Sequence, residues 1–152
     1  MKRSQRLKTI VEIKAAQEKS ALEALGAAQR KLQEIQAQVD SLKNYRLDYQ
    51  IKFAQLGRAG TSVAQLLEFR AFMDKLDKAI VGQELALNEC ENRLMAKRKH
   101  WEDLHYRTQS LQKVCDFARA DELKQEDRRE QLEQDERACR SGRNNSASRG
   151  NI

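Results

Sequence analysis

The sequence contains no proline. Proline is the residue that most reliably stops or kinks a helix, so nothing in these 152 residues forces a helix to end. Aromatic residues make up only 5% of the chain, too few to fill the interior of a compact globule, where rings carry much of the buried area. No stretch approaches the ~20 consecutive apolar residues of a membrane-spanning helix. The basic start, Met1 to Arg6, is not followed by the apolar run of a secretory signal, so the chain reads as made and kept in the cytoplasm. Cysteine is scarce: Cys90, Cys115 and Cys139 form no framework, which points to a reducing compartment. Cys90 and Cys115 fall on one predicted helix about 37 Å apart, too far to bridge.

What is abundant is charge and helix-forming residues. Charged residues account for 34% of the chain and its net charge is +6. Acids and bases are mixed along most of it, the pattern of solvated helix faces with pairs one turn apart. Ala, Glu, Gln, Lys, Leu and Arg dominate, the composition of long helices or coiled coil.

Two apolar seams organise the chain. The longer reads Leu66, Phe69, Met73, Leu76, Ile80, Gln83, Leu87, Cys90, Leu94, Lys97, Trp101, Leu104, Thr108, Leu111, Cys115, Ala118, apolar at all but Gln83, Lys97 and Thr108. The other reads Leu7, Val11, Lys14, Glu18, Ala21, Leu25, Ala28, Leu32, Ile35, Val39, Leu42, Arg46, Tyr49, Phe53, Leu56, interrupted only by Lys14, Glu18 and Arg46. A repeat averaging about 3.5 residues over such lengths belongs to supercoiled helices, because an unsupercoiled helix lets the stripe drift around its axis. Between the seams, Gly57-Arg58-Ala59-Gly60-Thr61-Ser62 offers two glycines for a tight reversal, and Ser62 with Gln65 fits a capping box.

A short loop between long helices makes them antiparallel neighbours. The fold class is therefore all-α: an antiparallel coiled-coil α-hairpin over residues 1–140, with a helix over about 5–56, a turn at 57–61 and a helix over about 62–138. Residues 141–152 read as a disordered basic tail. The register sets Leu56 opposite Leu66, Phe53 opposite Phe69, Tyr49 opposite Met73, Leu42 opposite Ile80, Leu32 opposite Cys90 and Leu7 opposite Cys115. Trp101 then faces Ala21, large against small. Arg46 lies beside Leu76 and Lys14 beside Thr108, with room for their stems to snorkel outward. Past Ala118 the seam continues as Glu122, Gln125, Arg129, Leu132, Glu136, so the apolar stripe fades where the partner helix runs out and leaves a charged overhang.

Nothing resembles a catalytic centre. The six glycines never form a phosphate-binding loop, and there is no CxxC or HExxH. His100 and His105 stand about 140° apart around a helix, a poor metal pair. The chain reads as non-enzymatic, with no cofactor and no metal.

One feature exceeds what the seams need. Gln38, Leu42, Tyr45 and Tyr49 on the first helix, and Phe72, Leu76, Ala79 and Gln83 on the second, share a spacing of four, three and four. In the hairpin they form one strip near the loop. Tyr45 and Phe72 lie off the seam and should be partly exposed, which suits anchors of a protein-binding surface. The same pattern also fits a seam that simply widens near the loop. Two basic tracts, Lys97-Arg98-Lys99-His100 and Lys2, Arg3, Arg6, Lys8, lie toward the open end. They fit solvated flanks, an acidic partner or nucleic acid.

Tyr45 and Tyr49, the Gly60 turn with Thr61-Ser62, and the run Phe69, Phe72, Leu76, Ala79, Ile80 resemble the FliJ family, small coiled-coil proteins of the flagellar type III export apparatus. The resemblance covers roughly residues 5 to 140. It implies a non-enzymatic protein similar to the central stalk of rotary ATPases, inserted into the hexameric ring of the flagellar export ATPase. It implies coupling of that ring to the membrane export gate through the gate protein FlhA, and contacts with export chaperones and with the ATPase regulator FliH. In that family the off-seam strip meets the gate. By position it is Gln38, Leu42, Tyr45, Tyr49, Phe72, Leu76, Ala79 and Gln83 here, the last at a site where other members carry a different polar residue. The helix ends near Leu7 and past Cys115 would enter the ring. The implied location is cytoplasmic, peripheral at the inner membrane through the export apparatus. A virulence-injectisome stalk of the same architecture and a basic coiled-coil scaffold or nucleic-acid binder are the alternatives.

Overall fold

The computed structural model describes residues 2–150. It is all-helical: α1 spans Arg3–Arg58 and α2 spans Val63–Arg149, packed against each other, with no strand among the described residues. With no proline to remove an amide donor, each backbone ladder runs unbroken. The chain divides into two packed units, Glu18–Leu104 and Met1–Gln17 with His105–Ile152.

The unit Glu18–Leu104 contains the reversal. Helix α1 ends in a tight turn, with the Ala59 amide donating to Leu56 O at 3.1 Å and the Gly60 amide to Gly57 O at 3.3 Å. Of the two glycines expected to supply unusual angles, only Gly60 does so, at φ 99°. Gly57 stays helical inside α1. Helix α2 then starts on a reciprocal cap. The Gln65 amide donates to Ser62 Oγ and the Ser62 amide donates to Gln65 Oε1, both at 3.2 Å, which satisfies donors that the first turn leaves orphaned.

Seam residues make the core of this unit: Ala21, Leu25, Ile35, Val39, Met73, Leu76, Ile80 and Cys90 are buried. Ile35, Val39 and Cys90 form one cluster, with Leu32, Ala86 and Leu87 packed against it. Phe53 stacks on Phe69 with centroids 3.8 Å apart and planes 9° apart. These contacts reproduce the register expected from the seams. Ala21 is buried and Trp101 half-buried, in keeping with large against small. Leu56 and Leu66 depart from expectation: both are exposed, since they stand at the end of the pair beside the turn and no third element covers them.

In the other unit, Val11 and Cys115 are buried and Leu7 and Leu111 half-buried. The pairing here does not stop with the apolar seam. Ser4 donates from its amide (3.0 Å) and from its hydroxyl to the Glu122 carboxylate, and Lys2 pairs with Glu126. Cys115 Sγ donates to Ser4 O at 3.6 Å. A polar clasp thus extends the contact past the point where the apolar stripe fades. The expected disordered tail from 141 is corrected in part: α2 continues to Arg149. Local bonds from Ser146 Oγ to Gly142 O and from Ser148 Oγ to Asn145 O accompany these last turns, and no residue of them is buried.

Candidate functional site

The strip expected near the loop lies wholly within the unit Glu18–Leu104. Its centre is an aromatic cluster built across both helices. Tyr49 packs on Phe72 at 4.5 Å and on Phe69 at 5.4 Å between ring centroids. Tyr45 meets the edge of Phe72 at 6.1 Å and 72°, a favoured T-shaped arrangement. Tyr45 remains 52% exposed, so about half of its surface faces solvent.

The eight strip residues divide by burial. Gln38, Tyr45 and Ala79 are exposed, and Leu42, Tyr49, Phe72 and Gln83 are half-buried. Leu76 is buried at 7%. It sits on the seam, as its place in the repeat requires, beside the more exposed members of the strip. Tyr49, also on the seam, serves both the core and the surface.

The two flanks of this unit differ, and the seam alone did not foretell it. Arg46 Nε donates to Asp77 Oδ1 at 2.6 Å, and Lys43 pairs with Glu84 at 3.0 Å, both bridging α1 and α2. The Arg46 stem therefore does reach outward, and its head is claimed by Asp77. Lys43, Asp77 and Glu84 share one flank. Tyr45, Phe72, Ala79 and Gln38 lie on the other, where no ion pair joins the helices among the described residues. In an antiparallel pair, like flanking positions face one another, so Lys43 meets Glu84 across the seam.

The remaining candidates are quickly placed. His100 is exposed and His105 half-buried. Among the described residues no group of three His, Cys, Asp or Glu side chains could hold a metal, and no helix is long and apolar enough to cross a membrane. Cys90 and Cys115 are buried and Cys139 exposed, all as free thiols. In the terminal unit, hydrogen bonds from the Ser4 hydroxyl and amide hold the Glu122 carboxyl below its usual range. The hydrogen bond and the charge of Glu126 push the Lys2 ammonium above its own.

The family model described as Flagellar FliJ protein matches residues 2–147. The chain belongs to the FliJ family. It is accordingly a component of the flagellar type III export apparatus, in a family of non-enzymatic proteins that serve protein transport. A flagellar family decides against the injectisome alternative. No curated protein and no solved structure matches the chain. The FliJ match spans both helices and their turn, so it takes in the whole aromatic strip and both flanks.

Proposed function

We propose that this FliJ-family protein is a stalk-like coupling element that binds the export ATPase ring and connects it to the membrane export gate. The terminal unit, with the start of α1 and the overhang of α2, enters the ring. The strip of Gln38, Leu42, Tyr45, Tyr49, Phe72, Ala79 and Gln83 meets the gate protein FlhA, with Leu76 supporting it from the seam. Export chaperones and the regulator FliH are further partners on this reading, and attachment to the inner membrane is indirect, through the gate.

The observation that carries the proposal is the exposed Tyr45 ring over Phe72, on the flank without ion pairs, in a chain of this family. An aromatic ring with a polar tip, left half in water beside its own packed cluster, is a typical anchor for a partner. Unbroken helices without proline suit a part that transmits force or position between two assemblies. The test is ATP hydrolysis by the purified cognate export ATPase with and without the protein. Stimulation accompanied by ring assembly is expected; an unchanged rate at saturating protein would remove the stalk role.

A further inference from the structure

The aromatic strip occupies only part of its flank. Continuing along α2 away from the turn, the same side carries Ala79, Gly82 and Ala86, and then Arg93. Gly82 stands in mid-helix, where glycine is less stable than alanine. A Cβ built on it meets nothing within 4 Å, so no contact inside the chain requires the missing side chain. The small residues make a shallow saddle at which an outside backbone can come close.

Past the saddle, Lys31, Arg93 and Lys97 rim a groove of about 220 Å³ floored by Ala24, Ala28 and Cys90. Lys97 takes a seam position yet is exposed, because Ala24 and Ala28 are too short to cover it. Among the described residues neither Arg93 nor Lys97 makes an ion pair, and Lys31 has only Glu34 at 3.9 Å. On the opposite flank the cations are paired across the helices by Asp77 and Glu84. A notch lined by three cations and by the apolar Ala24, Ala28 and Cys90 matches a carboxylate on a short side chain. A continuous phosphodiester track suits it poorly. Such a track needs cations repeated along its length, and here Glu34 and Glu89 each lie within one helical turn of the rim.

We propose that the strip, the saddle and the notch are one continuous docking face, and that Lys31, Arg93 and Lys97 receive a carboxylate from an acidic segment of the protein that covers Tyr45 and Phe72. The identity of that protein as the export gate rests on the function proposed above; the acidic character of the segment rests on the notch.

The test measures binding of the purified cytoplasmic domain of the cognate gate protein to the full chain, with helicity checked for each variant. Arg93→Gln with Lys97→Gln is expected to weaken binding about tenfold and flatten its salt dependence. The charge-conserving pair Arg93→Lys with Lys97→Arg should retain it. Gly82→Gln should weaken binding without loss of helicity. Unchanged binding in the Gln pair, with Tyr45→Ala still weakened, overturns the notch and leaves the gate reading standing. If the wild type does not bind the gate domain, the gate reading fails, and a labelled octaglutamate peptide decides the notch. Saturable binding lost in the Gln pair supports it; no binding overturns it. Equally tight binding of a single-stranded oligonucleotide of the same charge also overturns it, in favour of a general anion site.

Discussion

Among the described residues Val39 is the most deeply buried side chain, at 1% exposure, and it packs with Ile35 and Cys90 in a core only two helices thick. Such a core has no second layer to collapse into a cavity. Val39→Ala should therefore lower stability by roughly 2 kcal/mol, read from chemical denaturation, despite the better helix propensity of alanine. The two tyrosines of the strip divide differently. Tyr49 touches both Phe69 and Phe72, so Tyr49→Ala should reduce both stability and gate binding. Tyr45 touches only Phe72 among the aromatic rings of the described residues and is half in solvent. Tyr45→Ala should leave the thermal midpoint nearly unchanged while weakening gate binding, which makes it the cleaner test of the strip. Equal destabilisation by the two substitutions would mean that the strip is core alone.

At the level of the helices, both ends that matter are held by side chains. Ser62 and Gln65 close the start of α2 reciprocally, and Ser62→Ala should cost about 1 kcal/mol, measured in the same denaturation assay. The start of α1 is held by Glu122 and Glu126 of α2. Glu122 has its folded-state pKa lowered by the Ser4 hydrogen bonds from an ordinary 4.5. The clasp's stabilisation is then present above that value and is lost as pH falls through the lower folded value. Lys2 is raised from 10.5, so its part holds below 10.5 and is lost as pH rises through the higher folded value. Amide exchange over the first turns of α1, corrected for intrinsic rates, should thus be slow at neutral pH. It should rise below the ordinary glutamate range, and Glu122→Gln should shift that response.

For the whole molecule, the division of labour proposed above requires separable contacts. With Tyr45→Ala, stimulation of the ATPase should persist while binding of the gate domain falls. Joint loss of both would argue against one protein serving two assemblies through two surfaces. The net charge of +6 makes salt a necessary control in every such assay, since exposed cations attract any polyanion at low ionic strength.

The sequence by itself determined the helices, their partners and their register. Seam residues recur along each helix, and the short turn leaves no slack for one helix to slide past the other by a heptad, so one alignment is strongly preferred. It also marked the aromatic strip and, through those residues, the FliJ likeness that the family match bears out. The tertiary structure decided what periodicity cannot express. It buried Leu76 and left Tyr45 half in solvent, because burial depends on which neighbours lie across the seam. It closed one flank with Arg46–Asp77 and Lys43–Glu84 and left the other without such pairs, because a charge becomes part of a pair only when a second helix brings its counter-ion within reach. It carried the clasp to Glu126, since hydrogen bonds from Ser4 and a pair from Lys2 can hold two helices together where no apolar stripe remains.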